Sequence, residues 1–264
     1  MKARLISVWN WFEITLVILS FTVIVSVIYA LTAPFDKVRR VVGFVFRKGG
    51  HLMVLLNPLW RVTLSGFMPE GRIKGYVVVA NHQSSADIPV ISHVPWEMKW
   101  LSKESNFRLP AFGWMMRMVG DIPLHRGDKD SASKAMQKCR WYLDNGMPVM
   151  IFPEGTRSDD GSIKPFKEGA FRLAIESGHP ILPIVVAGTR HCLPKRSWIF
   201  SDRARIRVHV LPPVEVTGLT LADVDLLRDK VRAQIETTFH QLMERLESTE
   251  LPVPAPVRPV ALEA

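Results

Sequence analysis

The chain has 264 residues, of which 47% are hydrophobic, enough for one large domain with an appendage. Its net charge of +9 favours an anionic partner, which could be nucleic acid, an acidic protein or an anionic bilayer. Its two cysteines, Cys139 and Cys192, stand far apart and outside any CxxC motif or Cys/His cluster, which argues against a disulfide framework and a zinc site.

The amino-terminal segment selects the bilayer among these anionic partners. Residues 14–33, ITLVILSFTVIVSVIYALTA, carry no charge, and a helix of this length covers the roughly 30 Å hydrocarbon core. A cleaved signal peptide would instead have an apolar region of about 7–15 residues. Basic residues are more numerous after the segment than before it, which predicts an inner-membrane protein whose remaining chain faces the cytoplasm. We therefore expect membrane lipid, and no nucleic acid, among the partners.

A second apolar stretch follows at residues 51–60, HLMVLLNPLW. It is too short to span a bilayer, and Pro58 interrupts a helix there, so we expect it at the interface. Residues 1–65 are thus predicted to form a membrane anchor, either a single span or a helical hairpin in one leaflet.

Beyond residue 65, short apolar runs alternate with longer amphipathic ones. Strands are predicted at 76–80, 148–152, 181–188 and 205–212, and helices at 129–146, 168–178 and 219–247. Such alternation indicates an α/β domain over residues 66–247, with a mostly parallel central sheet flanked by helices. The proline-rich residues 248–264 are predicted to be a disordered tail.

The first strand leads into a histidine and an aspartate, in VVVANHQSSADIPV at residues 77–90. On one continuous helix, His82 and Asp87 would diverge by about 140°, so they meet only if His82 lies in a turn and Asp87 begins the next helix. Ser84 and Ser85 are good helix caps, and Pro89 is tolerated in a first turn. The pair then resembles half of a catalytic triad, with Asp87 fixing the tautomer of His82. The alternative is a loop histidine beside a capping aspartate.

Two more polar loops follow apolar runs. IFPEGTRSDDG at residues 151–161 offers Glu154, Gly155, Thr156 and Arg157, and GDIPLHR at residues 120–126 ends in Arg126. Such loops are typical of sites that bind an anionic group. Because ligands collect at the carboxyl ends of parallel strands, we expect all three loops to form one site.

The blocks NHQSSADIP, GDIPLHR, FPEGTRS and PILPIVVAG, in this order and spacing, resemble the four motifs of the 1-acyl-sn-glycerol-3-phosphate acyltransferase family over about residues 60–212. The resemblance implies that His82 is the base and Asp87 its orienting partner. It implies that the acceptor phosphate is bound by Arg126, Glu154, Gly155, Thr156 and Arg157. Lys103 would contact the oxyanion or the acyl donor, and the region of Pro183 would lie on the donor side. His125 departs from the family pattern, which more often has an acidic or amide residue there.

The implied reaction is transfer of an acyl group from acyl-CoA or acyl-carrier protein to the sn-2 hydroxyl of 1-acyl-sn-glycerol-3-phosphate (lysophosphatidic acid), giving phosphatidic acid without a cofactor or metal. The acceptor hydroxyl attacks the thioester directly, which explains why no enzyme nucleophile is evident. Residues 107–120 could line an acyl-chain groove or simply pack in the core. The alternatives are another lysolipid acceptor or a non-catalytic module that binds anionic lipid. The absence of HExxH and GxSxG motifs argues against a hydrolase.

Overall fold

The structure is a computed structural model that describes residues 2–57, 59–69, 75–192, 198–200 and 204–248. The helices are α1 (Lys2–Thr32), α2 (Arg40–Leu56), α3 (Asp87–Ile91), α4 (Phe112–Met118), α5 (Lys129–Asp144), α6 (Gly169–Ser177) and α7 (Val224–Glu247). The strands are β1 (Trp60–Gly66), β2 (Val77–Ala80), β3 (Lys99–Lys103), β4 (Ile122–Leu124), β5 (Val149–Ile151), β6 (Ile181–Ala187) and β7 (Ala204–Val210).

The strands form one sheet in the order β1-β7-β6-β2-β5-β3-β4. From β6 to β4 every neighbouring pair is parallel; β7 is antiparallel to β6, and β1 is parallel to β7. The carboxyl ends of β2, β3, β4, β5 and β6 therefore meet at one edge of the sheet. The predicted α/β class with a mostly parallel sheet is confirmed.

Hydrophobic cores lie on both faces of this sheet. One combines β2, β5 and β6 with α5, α6 and α7, and the helix predicted at residues 219–247 buries apolar side chains there, such as Val231 and Ile235. The other combines β2, β6 and β7 with α3 and the end of α2. Since β2 is buried on both faces, its unbroken run of valines is explained.

The amino-terminal region is a hairpin of α1 and α2 that packs on the domain. α2 extends from Arg40 to Leu56, so the first part of the stretch at 51–60 ends this helix, and the expectation that the stretch lies at the membrane interface stays a prediction. The last residue of that stretch, Trp60, begins β1, which pairs with β7 and brings residues 60–65 into the sheet. The tail after Ser248 lies outside the described residues.

Both ends of α1 contact the domain. Near its start, the Trp11 indole N–H donates to the backbone carbonyl of Trp198 at 2.8 Å. Further along, Val25 packs with Phe107 and Met115, and Tyr29 lies under the guanidinium of Arg39. By length and composition, α1 is the one helix among the described residues that could cross a membrane. Its contacts show that it runs along the domain rather than leaving it.

A buried cluster of charges joins α2 to the sheet. Arg47 forms an ion pair with Asp121 and lies 3.7 Å from Glu97, and Lys99 donates to Glu97 at 2.9 Å. Lys99 also donates to the backbone carbonyl of Arg39 at 2.8 Å. Buried charges are stable only when paired and hydrogen-bonded, so the cluster holds the hairpin in one position on the domain.

Candidate active site

His82 and Asp87 meet in the turn between β2 and α3. Their side chains are joined by a 2.8 Å hydrogen bond between the imidazole Nδ1 and Oδ2 of Asp87. His82 lies in the turn and Asp87 is the first residue of α3, which is the geometry that the spacing required.

The cap of α3 differs from the prediction. Ala86 occupies the N-cap position, and no side chain caps the helix there. Instead, the Asp87 carboxylate accepts the backbone N–H groups of Gln83 at 2.7 Å and Ser84 at 2.9 Å, which closes the turn on itself. The carboxylate that orients His82 therefore also shapes the loop that carries it.

Asp87 is fully buried, and its other oxygen, Oδ1, accepts the hydroxyl of Thr189 from the end of β6. Because every contact to the carboxylate is from a donor, Nδ1 of His82 carries its proton and Nε2 keeps its lone pair. No described residue hydrogen-bonds to Nε2, and 13% of the imidazole side chain is exposed. His82 therefore presents a proton acceptor to solvent or substrate.

The imidazole stacks on Phe152, with ring centroids 4.0 Å apart and planes 17° from parallel. Phe152 directly follows β5, so the next strand of the sheet fixes the ring plane of His82. Stacking and the Asp87 hydrogen bond together leave the imidazole little rotational freedom.

Glu154 braces the loop of His82. Its carboxylate accepts the backbone N–H of His82 at 2.6 Å and that of Lys164 at 3.1 Å, and the residue is 4% exposed. Burial raises the pKa of Glu154 to about 7, although both hydrogen bonds oppose this shift. Both carboxylate oxygens are thus engaged by backbone amides, so the contact of Glu154 with a phosphate stays a prediction, and its observed contacts are structural.

The cationic residues lie in loops that leave the same sheet edge. Arg157 donates to the hydroxyl of Ser85 at 2.7 Å, which places its guanidinium beside the His82 loop. Lys103 ends β3, and Arg126 follows β4, the strand paired with β3. The side chains of Lys103 and Arg126 are exposed, and within the described part of the chain neither side chain forms a hydrogen bond or an ion pair.

The other predicted positions have distinct environments. Thr156 is exposed, and Gly155 has a φ of 70°, a left-handed conformation that favours glycine in the tight loop after β5. Nδ1 of His125 lies 2.8 Å from Oε2 of Glu104, so the imidazole is engaged by this carboxylate. Pro183 is buried within β6, beside Val79 of β2, and the end of this strand reaches the site edge. That the region of Pro183 lies on the donor side stays a prediction.

Residues 107–120 include both buried and exposed side chains, and a role in an acyl-chain groove stays a prediction. Phe107, Met115 and Met116 are buried against α1 and α2. Leu109 and Trp114 are exposed. Core packing accounts for the first group.

Two positioning residues were missed by the sequence analysis. Asn81 donates to the carbonyl of Val186 and accepts its N–H, which pins the His82 loop to β6. Thr189 reaches Asp87 from 102 residues away. An asparagine or threonine after an apolar strand is too common to be recognised before the neighbouring strands are known.

Residues 61–187 match the family model described as Acyltransferase. The chain is 37% identical over 217 residues to a 1-acyl-sn-glycerol-3-phosphate acyltransferase of Chlamydomonas reinhardtii, covering 80% of this chain and 64% of that protein. It is 30% identical over 208 residues to the Haemophilus influenzae enzyme of the same name, covering 77% and 80%. The chain spans less than two thirds of the algal, plant and mammalian relatives that it matches, between 46% and 64% of their length.

The fold matches the crystal structure of the 1-acyl-sn-glycerophosphate acyltransferase PlsC from Thermotoga maritima, with a TM-score of 0.77 and 26% identity over 95% of this chain and 98% of that one. The recognition made from the four motifs is thereby confirmed. On these grounds the chain belongs to the 1-acyl-sn-glycerol-3-phosphate acyltransferase family.

Proposed function

We propose that this protein transfers an acyl group from an acyl thioester to the sn-2 hydroxyl of 1-acyl-sn-glycerol-3-phosphate, with His82 as general base. The observation that carries the proposal is the 2.8 Å hydrogen bond between His82 and a fully buried Asp87, with Nε2 left to accept a proton. The names of the relatives support lysophosphatidic acid as the acceptor and acyl transfer as the reaction class.

In the proposed step, Nε2 of His82 takes the proton of the acceptor hydroxyl as its oxygen attacks the thioester carbonyl. The resulting tetrahedral intermediate expels the thiolate, which receives that proton from the imidazolium. Asp87 stabilises the imidazolium and keeps Nδ1 protonated throughout. General-base assistance contributes about 10²–10⁴-fold, so positioning of the two substrates supplies much of the remainder.

The acceptor phosphate would bind among the cations at the sheet edge. Arg157 is placed beside the His82 loop by its bond to Ser85, and Lys103 and Arg126 follow adjacent strands. Guanidinium groups can bind a phosphate through two parallel hydrogen bonds, which fixes its orientation as well as its position. Binding of the phosphate at this edge would hold the glycerol hydroxyl near Nε2.

We also propose that the protein lies on one leaflet of the membrane. α1 has 31 residues and about 46 Å of length, and both of its ends contact the domain. A helix held along the domain cannot cross the bilayer by itself. Its outward side carries exposed apolar residues, including Leu5, Phe12 and Val23, which immersion in lipid would cover.

The test uses purified full-length protein in detergent with acyl-CoA and lysophosphatidic acid. We expect free thiol and phosphatidic acid to form in equal amounts, and no thiol release without the acceptor. Thiol release without acceptor would identify a thioesterase, and turnover with other lysolipids at equal efficiency would reject lysophosphatidic acid as the preferred acceptor. A panel of donors and acceptors then defines the range of both substrates.

A further inference from the structure

A row of rings crosses three neighbouring strands and ends at the imidazole of His82. Trp100 of β3 is the register partner of Met150 of β5, so Phe152, two residues after Met150, lies diagonally across from Trp100. The ring centroids of Trp100 and Phe152 are 5.9 Å apart, and their planes are inclined by 59°. Phe152 in turn stacks on His82 with 4.0 Å between the centroids. Trp100 is therefore one ring away from the proposed base.

Packing, rather than the strand ladder, holds the ring of Phe152. This residue is half-buried and stands just beyond the last residue of β5. Trp100 is 3% exposed, and the pair has the inclined geometry and spacing that aromatic rings favour. Because His82 is stacked almost parallel to Phe152, a tilt of the phenyl ring would tilt the imidazole with it. A displacement of Trp100 would thus reach His82.

The indole of Trp100 is held by α2 and not by a hydrogen bond of its own. Among the described residues, its Nε1 is buried without a hydrogen-bond partner. The guanidinium carbon of Arg47 lies over the indole, 5.2 Å from the ring centroid. The backbone N–H of Trp100 donates to Oδ1 of Asp121 at 3.0 Å, and Asp121 is the ion-pair partner of Arg47. Both the backbone and the side chain of Trp100 are tied to the same arginine.

α2 fits closely against this part of the domain. Arg47 is 7% exposed, and Gly43 stands one turn before it on the helix. A Cβ added to Gly43 would overlap Oε1 of Glu97 and would crowd Nζ of Lys99. Closely packed groups transmit a displacement instead of absorbing it. A shift of α2 would therefore move the guanidinium of Arg47 away from the indole.

We propose that Trp100 is a positioning residue for the acyl transfer. Through Phe152, it holds the imidazole of His82 in the plane that aims Nε2 at the acceptor hydroxyl. Arg47 makes this alignment depend on the docking of α2, so a hairpin displaced from the domain carries a misaligned base. The inference rests on the proposed function and names residues that act through His82 without touching either substrate.

The test measures kcat of Trp100→Leu in the full-length protein in detergent. We expect kcat to fall roughly 10–100-fold, because a misplacement of about 1 Å can cost about 10²-fold, while the KM for lysophosphatidic acid stays within about twofold. Trp100→Phe keeps an aromatic ring beside Phe152 and should restore most of kcat. Trp96→Leu is the matched control, since Trp96 is buried in the same core and, among the described residues, has no ring contact with Phe152. Its kcat should stay within about twofold of the wild type.

Combination with His82→Ala separates positioning from a general loss of structure. Adding Trp100→Leu to His82→Ala should leave the residual kcat unchanged, because the group that Trp100 aligns is already absent. A further fall of about tenfold in the double variant, or equal losses of kcat in Trp100→Leu and Trp96→Leu, would overturn the proposal. Arg47→Lys serves if Trp100→Leu fails to fold: it keeps the charge beside Asp121, removes the planar guanidinium from the indole, and should lower kcat only when His82 is present.

NMR of the protein with isotope-labelled histidine tests the alignment without any turnover. The signal of His82 is the one lost in His82→Ala, and the ring current of the stacked Phe152 makes its chemical shift sensitive to the angle between the rings. We expect this signal to move or broaden in Trp100→Leu and to keep its position in Trp96→Leu. An unchanged signal in Trp100→Leu would contradict the proposal. If the wild type shows no acyl transfer, the proposed function fails, and this measurement decides the positioning of His82 by itself.

Discussion

The backbone N–H of His82 donates a 2.6 Å hydrogen bond to Oε1 of Glu154, so a buried carboxyl in one loop of the candidate site fixes the backbone of the other. The same carboxyl accepts the N–H of Lys164 and is removed from solvent. The position of His82 therefore depends on a group whose charge changes near neutral pH.

This arrangement predicts a pH-dependent stability. Because burial raises the pKa of folded Glu154 from 4.5 to about 7, the neutral carboxyl favours the fold; its contribution is complete below about pH 4.5 and is lost as the pH rises through about 7. Glu154→Gln cannot ionise, so the free energy of unfolding of the wild type, relative to this variant, should decrease between pH 5 and 8, by an amount on the order of 2 kcal/mol. Denaturant unfolding in detergent across this range measures it.

Glu168→Gln is the matched control, since Glu168 is exposed and lies at 3.7 Å from Arg172 in an ion pair on the surface. The free energy of unfolding of Glu168→Gln should change with pH in the same way as that of the wild type. If the free energy of unfolding of Glu154→Gln and that of the wild type changed in parallel with pH, the buried carboxyl would not titrate in this range.

Arg157→Ala and Arg126→Ala should each raise the KM for lysophosphatidic acid. A hydrogen bond to a charged group contributes about 1.5–3 kcal/mol, which corresponds to roughly 10–100-fold in affinity. The same variants should act on 1-acylglycerol, which lacks the phosphate, with kinetics close to those of the wild type. An equal loss on both acceptors would show that these arginines do not bind the phosphate, and Arg172→Ala on α6 controls for surface charge.

Cysteine labelling tests the position of α1. Both native cysteines are buried, so a membrane-impermeant maleimide should label only an introduced cysteine. Variants with cysteine in place of Arg4 and of Lys37 mark the two ends of the helix. A helix lying in one leaflet predicts that both are labelled from the same side of sealed vesicles, and labelling from opposite sides would establish a span.

The charged cluster under α2 should be sensitive to the loss of one partner. Arg47→Ala leaves Asp121 and Glu97 buried without this cation, and breaking such a pair costs about 3–5 kcal/mol. We expect a clear decrease in the denaturant midpoint and faster proteolysis after α2. Lys48→Ala, which changes the exposed neighbour on the same helix, should have little effect, and similar midpoints for the two variants would contradict the structural role of the cluster.

The sequence predicted the long elements and the His82–Asp87 turn because those signals are local. Four predicted strands and two predicted helices, which became β2, β5, β6, β7, α5 and α6, have bounds within two residues of the structure, since apolar runs and glycines mark them directly. β3 was missed because Lys99 and Lys103 at its ends are atypical of a strand. The second helix of the hairpin, α2, was only one of two alternatives, because its three glycines lower helix propensity.

The relationships that position the site are non-local and could not be read from spacing. Thr189 and Asp87 are far apart in the chain, as are Arg47 and Asp121, and each pair depends on the final sheet order. The hydrogen bond from the His82 backbone to Glu154 could not be predicted for the same reason. A loop glutamate followed by Gly-Thr-Arg resembles an anion-binding residue until its burial is known.

The most direct test of the account is the kcat of His82→Ala in the acyl transfer assay, with His179→Ala as the control for a histidine outside the site. We expect kcat to fall by about 10²–10⁴-fold while the KM for lysophosphatidic acid stays within about twofold, because the variant loses a proton acceptor and keeps the cations proposed to bind the phosphate. A kcat for His82→Ala equal to that of the control would contradict the assignment of His82 as the general base.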